Sequence, residues 1–186
     1  MLNVANLFPS ATQRHLIVTL VRREVAARYR GAMLGNLWAL FTPLFMLAVY
    51  TFIFSVVFKA RWSGGSDSRS EFALVLFAGL MVFNLFAECF NRAPRLILDN
   101  VNYVKKVVFP LEILPWVALG SALVNLGISL LVWLAFYGVA FGVPPVTVLL
   151  FPLMILPLLL LVLGLSWALA ALGVYLRDLS QLVGRS

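Results

Sequence analysis

The stretch that decides the fold is Ile113–Leu176, ILPWVALGSALVNLGISLLVWLAFYGVAFGVPPVTVLLFPLMILPLLLLVLGLSWALAALGVYL, which runs for 64 residues without one Asp, Glu, Lys or Arg. A helix needs about 20 apolar residues to cross about 30 Å of hydrocarbon. The stretch is too long for one crossing and suits two, with Gly142-Val-Pro-Pro145 as the break, because glycine and proline together punctuate helices. Two spans are expected here, 116–141 and 148–175. Pro152 and Pro157 fall inside the second, where a kink is expected because neighbouring helices in a bundle compensate for the lost backbone bonds.

Upstream, Gly31–Phe58 supplies 28 uncharged residues between Arg30 and Lys59, enough for a tilted span over 33–58. Phe72–Ala87 supplies only 16, so that helix has to run past Glu88 toward Phe90 and is placed at 71–91. The whole chain fits this reading. Of its 186 residues, 63% are hydrophobic and 11% charged, against about 45–50% and about 25% in ordinary globular chains. With a mean hydropathy of +1.02, too little polar surface remains to coat a water-soluble domain. The fold class is an all-α integral membrane protein with four transmembrane helices. Disordered, collagen-like, nucleic-acid-binding and disulfide-scaffold classes are excluded.

The net charge of +7 reads as topology. Arg14, Arg22, Arg23, Arg28 and Arg30 precede the first span, Arg92, Arg95, Lys105 and Lys106 lie between the second and third, and Arg177 and Arg185 follow the fourth. Only Lys59, Arg61 and Arg69 fall on the opposite side. The positive-inside rule then puts both termini in the cytoplasm. The opening MLNVANLFPSATQRH has no basic region followed by a short apolar core, so the first span is expected to act as the insertion signal.

Residues 10–30 read as a helix. Ser10-Ala-Thr-Gln13 fits a capping box, and Ile17, Leu20, Val21, Val25 and Tyr29 share one side. Glu24 and Arg28 fall on that same apolar side, four apart, and could pair with each other. A helix lying in the membrane interface and a solvated juxtamembrane helix both fit. Residues 92–115, RAPRLILDNVNYVKKVVFPLEILP, form the only sizeable connection on the basic side. A plain connection would be short and polar. This one sets Val104, Val107, Val108 and Phe109 beside Lys105 and Lys106, which suits a short helix offered to a partner or a loop resting on lipid headgroups. The opposite loop, Ala60–Ser70, is Gly/Ser-rich and carries no reactive constellation.

Motifs for catalysis are missing. No lysine follows a glycine, so there is no P-loop. One histidine, His15, and one cysteine, Cys89, allow neither a zinc-protease motif nor a C-x-x-C pair. The span serines 55, 121, 129 and 166 have no histidine base within reach in sequence. No ionisable residue lies at mid-span, which argues against an ion-coupled carrier. Glu88 comes nearest, with Arg92 four residues on as a structural partner. Small residues recur at Gly164/Ala168 and Ser166/Ala170, a weak pattern for close helix contact or ordinary span composition.

Three stretches carry a resemblance. Arg28-Tyr-Arg-Gly31, with Leu34-Gly35, Leu37-Trp38 and Pro43, resembles the approach to the first span in ABC-2 type permeases of the polysaccharide-export branch, which includes O-antigen, capsule and teichoic-acid exporters. Asn100–Pro115 is similar to that branch's cytoplasmic loop after span two, and Gly173-Val-Tyr-Leu-Arg-Asp178 resembles the motif closing its fourth span. The resemblance covers nearly the whole chain. It implies a homodimeric permease that exports lipid-linked polysaccharide through the bacterial inner membrane. A separate ABC ATP-binding subunit would use the ATP, and this chain would bind no cofactor, metal or nucleic acid. Asn102, Lys105, Lys106, Phe109, Pro110 and Glu112 would form the loop that contacts the ATPase. Arg28, Tyr29, Arg30 and Gly31 would flank the interfacial approach of substrate, and Trp38, Tyr50, Phe54 and Phe83 are candidates for lining the path. Family members have about six spans. Residues 1–186 are therefore expected to be one transmembrane domain, incomplete at its C-terminal end. An ABC-2 exporter of drugs or small lipids, or a membrane scaffold that moves nothing, are the rival readings.

Overall fold

The computed structural model describes residues 11–28, 37–53, 69–100 and 110–175. Six α-helices occur among them: α1 (Ala11–Arg28), α2 (Leu37–Phe52), α3 (Arg69–Arg92), the single turn α4 (Leu96–Asp99), α5 (Leu114–Phe141) and α6 (Phe151–Tyr175). Short 3-10 turns at Ala93–Arg95, Leu111–Ile113 and Val146–Leu150 join them. Phe72–Asp99, Leu111–Phe141 and Val146–Val174 are long and apolar enough to cross a membrane, by length and composition. Leu37–Phe52 is a shorter apolar helix within the expected 33–58 span. Its 16 residues reach about 24 Å; the rest of that span lies outside the described residues.

The expected break between the last two spans is observed. Gly142 caps α5 with φ +86°, a conformation that L side chains rarely adopt, and Pro145 opens the next turn in an extended conformation. Pro152 needs a correction: it occupies the second position of α6, in the first turn, where its missing N–H has no intrahelical partner to lose. Pro157 alone is interior to α6.

The bundle is organised around α3 and α5, which share the most extensive contact, with α1 and α2 also packed on α5 and α6 packed on both α3 and α5. The main core takes Met81, Leu85 and Cys89 from α3, Leu119, Ala122 and Leu126 from α5, and Ile155, Val162 and Leu163 from α6. On α3 and α5 these recur every three or four residues, the period that keeps one helix face turned inward. A second cluster joins Leu47 of α2 to Leu74 and Phe77 of α3 and Val132 of α5. Trp133 Nε1 donates to the Leu74 carbonyl at 3.0 Å, tying α5 to α3 there.

At the other end, two glycines permit close approach. A Cβ on Gly173 of α6 would lie 2.1 Å from the carbonyl oxygen of Pro94, so only glycine lets α6 press on the 3-10 turn after α3. A Cβ on Gly120 would lie 2.7 Å from Val21 Cγ2, which marks where α1 rests on α5. Of the small-residue pairs, Ser166 and Ala170 are buried, whereas Gly164 and Ala168 are exposed.

Candidate functional site, a polar seam inside the bundle

Residues four apart on a helix share a face and climb about 6 Å. On α3 this spacing aligns Asn84, Glu88 and Arg92; on α5 it aligns Ser121, Asn125 and Ser129; on α1 it aligns Glu24 and Arg28. The fold turns the three rows toward one another. Arg28 Nη2 pairs with Glu88 Oε1 and lies 3.5 Å from Ser121 Oγ. Asn125 Nδ2 donates to Glu88 Oε2 at 2.9 Å. Arg92 Nη1 pairs with Glu24 and lies 3.7 Å from Glu88. The four charges alternate in sign from Glu24 through Arg92 and Glu88 to Arg28, so the seam is balanced. Charges withdrawn from water require that pairing, since an isolated one is costly.

The Glu24–Arg28 pair expected within α1 is corrected: both residues find partners on α3. That explains their place on the apolar side of α1. The face that holds them packs on the bundle, and the two charges reach the polar row of α3, with Arg28 also close to Ser121 of α5. Arg92 does approach Glu88, as the spacing suggested, while Arg28 and Asn125 supply closer contacts.

Beside the seam lies an open-sided cavity of about 420 Å³ between α2, α3 and α5. Arg28, Asn84, Glu88, Asn125 and Ser129 line its polar wall, and Thr42 and Tyr50 add hydroxyl groups from α2. Met46 of α2 and Phe77, Leu80 and Met81 of α3 add apolar groups to the lining. Asn84 and Thr42 are exposed, and Tyr50, Glu88 and Asn125 are half-buried. A carboxamide on a long apolar helix is costly against lipid and suits water or a polar ligand. Among the described residues, no group of three His, Cys, Asp or Glu could hold a metal ion.

The base of the 92–115 connection adjoins the seam through Arg92. Pro94, Leu96, Ile113 and Leu114 are buried, and Leu96 and Leu114 pack with Ala118 and Ala170. Trp167 Nε1 of α6 donates to the Glu112 carbonyl at 3.2 Å. Both ends of the connection are thus fastened to the bundle.

Of the residues singled out from sequence, Arg28 and Tyr50 line the cavity. Trp38 and Phe83 are exposed, Trp38 with its ring edge-on to Phe41 at 5.4 Å. Pro110 and Glu112 open the short turn before α5. Tyr29, Arg30, Gly31, Phe54, Asn102, Lys105, Lys106 and Phe109 lie outside the described residues, as do Ser10 of the capping box and Val104–Val108 of the proposed short helix. Sequence reasoning passed over Asn84 and Asn125. Their signal was the fourfold spacing to Glu88 and to Ser121 and Ser129.

The family described as ABC-2 type transporter matches residues 15–184. The O-antigen export system permease protein RfbA of Myxococcus xanthus is 34% identical over 171 residues, covering 91% of this chain and 63% of that protein. A protein of the same name from Klebsiella pneumoniae is 28% identical over 100 residues, 54% of this chain and 36% of its own length. The chain therefore spans less than two thirds of the curated relatives it matches. It is a multi-pass membrane protein and belongs to the ABC-2 type transporter family.

Proposed function

We propose that the chain is part of the permease of an ABC exporter that carries lipid-linked polysaccharide across the bacterial inner membrane. The observation that carries this reading is the similarity to an O-antigen export permease along nearly its whole length. The work of such a permease is to lead many hydroxyl groups through hydrocarbon, where each unpaired polar group costs several kcal/mol. A polar seam on otherwise apolar helices supports that task. The energy would come from ATP used by a separate ABC ATP-binding subunit, and a second copy of the permease would complete the path.

In this reading, residues 101–109 with Pro110 and Glu112 receive the motion of the ATPase, Lys105 and Lys106 supplying charge and Asn102 and Phe109 further contact. The fastened base then passes the motion on. Displacing Pro94 moves Gly173 and α6, displacing Glu112 pulls on Trp167, and displacing Arg92 pulls on Glu24 and Glu88. Arg28, Tyr29, Arg30 and Gly31 flank the approach of the lipid-linked substrate, and Trp38, Tyr50, Phe54 and Phe83 offer rings to sugar faces.

Two measurements test the proposal. Cross-linking through Lys105 or Lys106 in native membranes, followed by mass spectrometry, is expected to recover an ATP-binding subunit. Deleting the gene is expected to remove surface polysaccharide and leave lipid-linked polymer inside the cell. Normal surface polysaccharide in the deletion strain defeats the export reading and leaves a scaffold or an exporter of another substrate.

A further inference from the structure

We propose that the cavity beside the seam is a binding site for one uncharged sugar unit of the polymer, a proposal that rests on the export reading and assigns a place to its substrate. Charge argues first. Among the described residues, the cationic group on the lining is Arg28, which is paired with Glu88, so these residues bring no net positive charge to attract a phosphate or pyrophosphate. Chemistry argues next. Asn84, Asn125 and Ser129 place two carboxamides and a hydroxyl along one wall, and Glu88 adds a carboxylate edge. Neighbouring hydroxyls of a sugar ring can both donate to and accept from groups of this kind.

The apolar part of the lining suits the faces of such a ring. Phe77 and Met81 are buried apolar groups, and Tyr50 is an aromatic ring with a hydroxyl at its tip. A sugar is amphipathic in the same sense, with C–H groups on its faces and hydroxyls on its edges, and aromatic rings stack on those faces. A volume of about 420 Å³ falls within the range of ligand pockets, about 300–1,000 Å³. A polymer chain would pass such a site one unit at a time.

The test uses the exporter assembled with its ATP-binding subunit in detergent. Met46, which is 45% exposed on the lining, is changed to cysteine as a reporter, with Cys89→Ala to silence the native thiol. Maltose is the probe and inorganic pyrophosphate the comparison. Maltose is expected to slow modification of the Met46→Cys thiol several-fold, Asn84→Leu is expected to abolish that protection, and pyrophosphate is expected to give none. Absence of protection by maltose overturns the proposal. So does protection that survives Asn84→Leu, or protection by pyrophosphate in place of maltose.

Cells give a second readout should the reporter fail to fold. Asn84→Leu, present in the membrane at its normal level, is expected to lower surface polysaccharide several-fold, and Asn84→Gln to restore most of it. Full polysaccharide with Asn84→Leu, in a strain where deleting the chain abolishes export, overturns the sugar site and leaves the export reading standing.

Discussion

Glu88 meets three groups, the guanidiniums of Arg28 and Arg92 and the carboxamide of Asn125, while Glu24 meets Arg92. The two carboxylates are therefore not equivalent. Glu24→Gln leaves Arg92 with Glu88 still 3.7 Å away, whereas Glu88→Gln removes the carboxylate that both Arg28 and Arg92 meet. The Arg28 and Arg92 side chains keep about a third of their surface, at 33% and 35%, so the loss falls below that of a fully buried pair. We expect Glu88→Gln to cost about 1–3 kcal/mol and Glu24→Gln less. Adding Arg28→Gln to Glu88→Gln restores the charge balance, so the double variant should be less destabilised than the sum of the two by about 1 kcal/mol. Thermal unfolding of the wild type, the three single variants and the double variant in one detergent checks the order, and simple additivity would mean that the pair contributes nothing.

Between elements, Gly173 lies tight against the backbone of Pro94. Gly173→Val would force α6 away from the turn that follows α3, at an overpacking cost of about 1–3 kcal/mol or more, because the obstacle is backbone and cannot rotate aside. Gly164→Ala meets nothing within 4 Å and is expected to be neutral. Monodispersity on size-exclusion chromatography, with melting temperatures, separates the two; equal behaviour would mean that the α6 contact is soft. This pair also shows what could be read from the chain. Charge-free length and the Gly142–Pro145 break located the long helices, because crossing hydrocarbon constrains length and polarity so strongly. The pattern of small residues did not say which glycine touches a neighbour: Gly164 belonged to a helical small-residue motif yet is exposed, while Gly173 had only its place in a family-like motif. Helix contacts depend on the partner's shape, and Pro94 lies 79 residues away in sequence. The seam was legible in part. Glu88 and Arg92 were visible as a pair, but Glu24 and Arg28 looked like flaws in an amphipathic helix until the bundle supplied their partners.

For the whole molecule, the spread of charge and the lengths of the helices make one geometric demand. If α5 crosses the membrane, the 92–115 connection at its start and Gly142–Pro145 at its end face opposite compartments. Eleven Lys and Arg flank the spans on the side of 92–115 and three on the other, so by the positive-inside rule we expect the first side to face the cytoplasm. Val143 is 92% exposed in the break after α5, and Leu98 is 37% exposed on α4. Native Cys89 is buried on α3 and should stay silent toward a hydrophilic reagent. A membrane-impermeant thiol reagent added to intact spheroplasts is therefore expected to label Val143→Cys and spare Leu98→Cys, and inverted vesicles should give the reverse. Labelling of both from one side would mean that α5 does not span. Reversed labelling would put the 92–115 connection outside the cell, away from any ATP-binding partner, and the coupling proposed for that connection would fall with it.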